Sequence, residues 1–216
     1  MSGQCCDHDA SEAQLRDTAY RRVLWAALAI NGVMFAVEIV AGFAAGSVAL
    51  QADALDFLGD TATYAISLFV IGMSLRARAL AALAKGSAMG LLGIWVIGST
   101  FWHVAYGDAP QAMTMGIVGL AALAANAVVF ALLWRHRAGD SNMRSVWLCS
   151  RNDVIGNAAV VLAALGVFGT GTAWPDIAVA AIMAVLALQG AWTVFVHAWS
   201  ELRGGAGETA MRRTEA

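Results

Sequence analysis

Ala52-Asp53-Ala54-Leu55-Asp56-Phe57-Leu58-Gly59-Asp60 lies within a run, residues 47–75, that is otherwise apolar enough to cross a bilayer. Its aspartates recur at i, i+3 and i+7, so on a helix all three share one stripe. A carboxylate near the centre of a bilayer costs roughly 2.5–3.5 kcal/mol on insertion scales. Three on one stripe must therefore face a bundle interior or a wet cavity, where a cation or protons offset their charge.

The surroundings of this stretch set the class. With 60% of 216 residues hydrophobic, 13% charged and a mean hydropathy of +0.67, a soluble domain could not keep its apolar surface dry. The chain reads as an all-α, polytopic membrane protein. No basic patch with interleaved aromatics accompanies the net charge of -2, so no nucleic-acid partner is expected. Cys5, Cys6 and Cys149 form no paired framework, and no structural disulfide is expected.

Outward from the aspartates, six transmembrane helices are predicted, at residues 23–45, 47–75, 80–106, 112–134, 145–168 and 174–199. They divide the chain into a tail (1–20), a transport-sized bundle (21–202) and a second polar tail (203–216). Gly46-Ser47, Gly107-Asp108-Ala109-Pro110 and Gly169-Thr170-Gly171-Thr172 mark tight turns on one side. Bases such as Arg21, Arg22, Arg76, Arg78, Lys85 and Arg144 fall at the other ends, whereas the turn side carries Asp108 and Asp176 and no base. The positive-inside rule then puts both termini in the cytoplasm, with a bacterial inner membrane as the expected location. Arg151, inside the fifth helix, is read as snorkelling to the interface in preference to pairing with Glu38 or a site aspartate. At the N-terminal tip, Cys5-Cys6-Asp7-His8-Asp9 offers metal ligands, equally consistent with a frayed tail.

The fifth helix supplies a second cluster. Cys149 and Asp153 are four apart on one face, Asn157 continues that face, and Asn152 lies beside it. Pairs at i, i+4 on two antiparallel helices can converge four side chains on one point, as a tetrahedral divalent metal requires. Asp56, Asp60, Asp153 and a Cys149 thiolate would carry four negative charges against the two positive of one ion. Such an excess is unfavourable in low dielectric, so metal entry must release protons. Counted from Arg76 and Arg144, however, Asp60 lies sixteen residues deep and Cys149 only five. At ~1.5 Å per residue this is a mismatch of roughly 16 Å, which predicts that the second helix projects into the cytoplasm.

The run Gly46-Ser47-Val48-Ala49-Leu50-Gln51 followed by residues 52–60 resembles the second-helix signature of the cation diffusion facilitator family. Cys149-Ser150-Arg151-Asn152-Asp153 is similar in spacing to that family's His-x-x-x-Asp on its fifth helix. Trp174-Pro175-Asp176-Ile177 resembles its entry to the sixth, and Asn31 with Glu38 fits its first. The resemblance spans roughly residues 20–202. It implies Asp56, Asp60, Cys149 and Asp153 as the transport-site positions of a metal–proton antiporter that exports zinc, usually as a homodimer. Cys149 stands where histidine is usual: either it binds as a thiolate, which favours zinc or cadmium over harder ions, or it leaves the site to the three carboxylates with Asn152 or Asn157.

Most members of that family continue into a cytoplasmic domain, and its absence here is expected to leave dimerisation to the membrane helices; Gly86-x-x-x-Gly90 offers a close-packing face either for that or for packing within the chain. No cofactor beyond the transported ion is expected. His103, His136 and His197 are read as structural or interfacial. Two other classes stand beside the exporter: an intramembrane aspartyl hydrolase, which also needs two aspartates on neighbouring helices, and a non-transporting metal sensor. The first would carry Gly-x-Gly-Asp, and Leu58-Gly59-Asp60 lacks its first glycine.

Overall fold

The computed structural model describes residues 18–69, 75–134 and 141–214. The Cys5-Cys6-Asp7-His8 tip and His136 lie outside the described residues, as does the side chain of Cys149. Six helices form among them: α1 (Thr18–Ala45), α2 (Val48–Phe69), α3 (Leu75–Tyr106), α4 (Ala112–Trp134), α5 (Ser141–Thr170) and α6 (Trp174–Thr214). All are α-helical, as the apolar runs predict. Five contain stretches long and apolar enough to cross a membrane, within α1, α3, α4, α5 and α6. At 22 residues, about 33 Å, α2 has the length, but its three aspartates set its composition apart.

Those five helices carry large apolar side chains outward. Val33 and Val40 of α1, Leu91 of α3, Ile117 of α4, Leu162 of α5 and Ile182 of α6 are all exposed. In water such surface would be costly; against lipid tails it is neutral. The interior is organised around α2, which packs on α1, α3, α5 and α6. Its residues from Val48 to Leu55 are buried without a break, all round the helix. Close pairings of α1 with α2, α3 with α6 and α4 with α5 complete the bundle.

The turn into α2 shows how local chemistry builds this centre. Gly46 adopts φ 66°, a left-handed conformation that costs glycine little. The Ser47 N–H then reaches back to the Gly42 carbonyl at 2.9 Å, closing α1 as a Schellman motif does. Ser47 Oγ accepts from the Leu50 N–H at 3.1 Å, an N-cap for α2. Gly42 is where the two helices touch: a Cβ there would stand 2.9 Å from Gln51 Cγ and 3.1 Å from its main-chain nitrogen.

Three expectations change. Asp176, read as an outer-loop acid, is 1% exposed. It follows Pro175 in the first turn of α6 and reaches across to the start of α2, where buried N–H groups need an acceptor. The Gly86/Gly90 face is used within the chain, since a Cβ on Gly86 would stand 3.3 Å from the Ala191 carbonyl oxygen of α6. Finally, α5 begins at Ser141 and α6 runs through Gly204 and Gly205 to Thr214, so bundle helices extend beyond the apolar runs. Glycine weakens a helix without ending it when flanking residues favour the helix.

Candidate metal centre

Asp60 and Asp153 come together. They belong to α2 and α5, and their carboxyl groups stand within hydrogen-bonding reach of each other. The arginines do not mark the helix end here: α5 is already helical at Ser141, three residues before Arg144.

Asp56 is half-buried one turn from Asp60 on α2, close enough for the two charges to act on each other. Cys149 occupies α5 one turn before Asp153, its side chain outside the described residues. Among the described residues, no group of three or more His, Cys, Asp or Glu side chains is arranged to hold a metal ion. The described part of the predicted cluster is thus an Asp60–Asp153 pair with Asp56 beside it. Asn152, half-buried, lies against Arg151, whose guanidinium is exposed with Nη2 3.5 Å from Asn152 Oδ1. Arg151 is exposed, whereas Glu38 is fully buried.

Sequence reading missed a cation at this site. Lys85 was grouped with the bases at helix ends, yet it lies ten residues into α3 and is only 8% exposed. Its Nζ donates to Thr63 Oγ1 at 2.7 Å, and that hydroxyl donates in turn to the Gly59 carbonyl at 2.8 Å. Held this way on α2, the ammonium acts electrostatically on Asp60. Buried lysines need such partners. Its flanking sequence, Ala84-Lys85-Gly86, gives one signal: a lone base inside a hydrophobic run, seven residues and about 10 Å past Arg78.

A second buried polar group lies along the same stripe toward the start of α2. Asp53 accepts a hydrogen bond from Asn157 Nδ2 at 3.1 Å, and the same amide nitrogen donates to the Asp153 carbonyl at 3.0 Å. Glu38 of α1 stands within hydrogen-bonding reach of Asp53. His103, by contrast, bonds the Ser99 carbonyl of its own helix through Nδ1, the structural role expected of it.

Residues 24–203, nearly the whole helical region, match the cation efflux transmembrane domain. The chain belongs to the cation efflux family, the cation diffusion facilitators. Within that family it is similar to the zinc transporter ZitB of Escherichia coli, with 29% identity over 204 residues that cover 88% of this chain and 64% of the relative. It is also similar to the metal cation efflux system protein CzcD of Cupriavidus metallidurans, at 24% identity over 85% of this chain and 62% of the relative. A third relative is the cadmium, cobalt and zinc/H(+)-K(+) antiporter of Bacillus velezensis, at 26% identity over 76% of this chain and 57% of the relative. The chain thus spans just under two thirds of the length of the first relatives it matches. Membership of a metal-cation transport family and the apolar helices make it a multi-pass membrane protein.

Proposed function

We propose that this cation efflux protein exports a divalent metal ion, zinc first and cadmium second, in exchange for protons. In this reading α2 is the sixth membrane crossing, both termini face the cytoplasm of a bacterial inner membrane, and two copies associate through their membrane helices. Asp56, Asp60, Cys149 and Asp153 are the ligands. The observation that carries the proposal is the meeting of the Asp60 and Asp153 carboxyl groups, contributed by two helices inside an apolar bundle. Two carboxylates so placed repel each other unless a cation or a proton lies between them. A divalent ion and protons are alternative occupants of one site, which is the basis of exchange.

The same carboxyl contact would suit an aspartyl hydrolase, whose two acids share a proton. Membership of a metal transport family favours the exporter, as does Asp56 on the next turn. Reconstitution into proteoliposomes with an imposed pH gradient tests it. Zinc uptake should follow the gradient and collapse with it. Cleavage of a membrane peptide without zinc flux would move the assignment to the hydrolase, and tight zinc binding without flux to a sensor.

A further inference from the structure

Glu38, Asp53 and Asn157 come from α1, α2 and α5 and are each 0% exposed. Both carboxyl oxygens of Glu38, Oδ2 of Asp53 and Oδ1 of Asn157 are buried without a hydrogen-bond partner. The deficit is of one kind. Four acceptor atoms look inward, and the only donor among these three side chains, the Asn157 amide nitrogen, is already shared between Asp53 Oδ1 and the Asp153 carbonyl. Buried acceptors left in this state are costly, and two facing carboxylates without a cation more so.

The charged groups around the pair do not remedy this. On α2, Asp56 adds a further negative charge toward Glu38. Lys85 of α3 is engaged with Thr63 beside Asp60, and Arg151 of α5 is exposed. Asp153 of α5 is near Asn157 through its main chain, and Asp176 of α6 is engaged at the start of α2. α4 packs against α1 and carries no titratable side chain.

We propose that Glu38 and Asp53 form a proton-binding site separate from the metal ligands. One proton between the two carboxyl groups turns one of them into an O–H donor and supplies what the geometry lacks. Oxygen-only ligands suit a proton better than a thiophilic metal. Asn157 ties the site to the metal-bearing helix, because its amide grips Asp53 and the backbone carbonyl of Asp153 at once. A divalent ion at Asp60 and Asp153 places positive charge near this pair and favours release of its proton. The site thus carries a proton for exchange without touching the metal. That last role rests on the antiport reading; the existence of the proton site does not.

Infrared spectroscopy of the zinc-free protein tests the site directly. Glu38 is one of five glutamates and lies alone between residues 13 and 200, so carboxyl-13C glutamate marks glutamate bands and loss in Glu38→Gln assigns one of them to it. Carboxyl-13C aspartate with Asp53→Asn does the same for its partner. A protonated-acid C=O band at neutral pH that shifts with the label, and vanishes in Glu38→Gln, is the expected result. A parent with no protonated-acid band that is lost in Glu38→Gln under the glutamate label or in Asp53→Asn under the aspartate label overturns the proposal.

The exchange role is read separately, by zinc calorimetry in two buffers of different ionisation enthalpy. Glu38→Gln should still bind zinc while releasing about one proton fewer per ion than the parent. Equal proton release in the two proteins overturns the exchange role even if the band is present. A parent that binds no zinc sinks the antiport reading and this exchange role with it, and the infrared band still decides the site.

Discussion

Ser47 and Asp176 are 129 positions apart in the chain and are joined by a 2.6 Å hydrogen bond from Ser47 Oγ to Asp176 Oδ1. The same carboxylate accepts from the N–H groups of Val48 at 2.9 Å and Ala49 at 3.1 Å. A distant anion therefore caps the helix that bears Asp53, Asp56 and Asp60, where its charge also meets the positive end of the helix dipole. Removing it in Asp176→Ala strands three buried donors. At about 1–3 kcal/mol for each unmet group, the folded state should lose several kcal/mol. A thermal or denaturant midpoint for the detergent-purified protein equal to that of the parent would remove the cap from any account of stability.

Asp60→Asn and Asp153→Asn should each reduce zinc flux at least about tenfold, as expected where a buried charge pair loses one member. Because both act on one ion, the double variant should be little worse than either single one. Flux in proteoliposomes is the measurement. Parental rates in both single variants would end the shared-site reading.

Lys85→Met removes a fixed positive charge from beside Asp60. A dication gains more from that removal than a proton does, so zinc affinity should rise by about tenfold, or ~1.4 kcal/mol at an effective dielectric near 20. Calorimetric titration checks it, with Lys85→Arg expected to stay near the parent. Weaker zinc binding in Lys85→Met would show that the ammonium organises the site more than it competes with the ion.

Two glycines of the aspartate helix and its neighbour should respond differently to the same substitution. In Gly42→Ala the new methyl meets the Gln51 main-chain nitrogen at 3.1 Å as well as its Cγ at 2.9 Å, and backbone cannot step aside. A loss of about 1–3 kcal/mol is expected. In Gly59→Ala the contact is with the Met89 terminal methyl, Cε at 2.9 Å, which a flexible side chain can relieve. That variant should fall within about 1 kcal/mol of the parent. Equal losses in the two would refute the distinction.

Much of the bundle was legible in the chain because membrane helices satisfy their own backbone and announce themselves by length and apolarity. Helix α4 begins at Ala112, its predicted start, just past Pro110. The ends of α5 and α6 were misjudged because polar residues at a helix end are compatible with both helix and coil, and no apolar pattern distinguishes them. The pairing of Asp60 with Asp153 followed from carboxylates at helical spacing on two runs of opposite direction. Lys85 was misplaced for a different reason: charge alone does not say whether a base ends a helix or is held inside it, and Thr63, its acceptor, lies on another element.

By itself the sequence determined that this is a helical membrane protein with acids that cannot face lipid, because insertion cost depends on residue type and spacing alone. Tertiary structure alone decided which acids meet. Asp60 faces Asp153, Asp53 faces Glu38, and Asp176 serves the N-terminus of α2. The reason is geometric: a stripe of carboxyl groups is a property of one helix, whereas the partner of each is chosen by the relative depth and rotation of others, which packing sets.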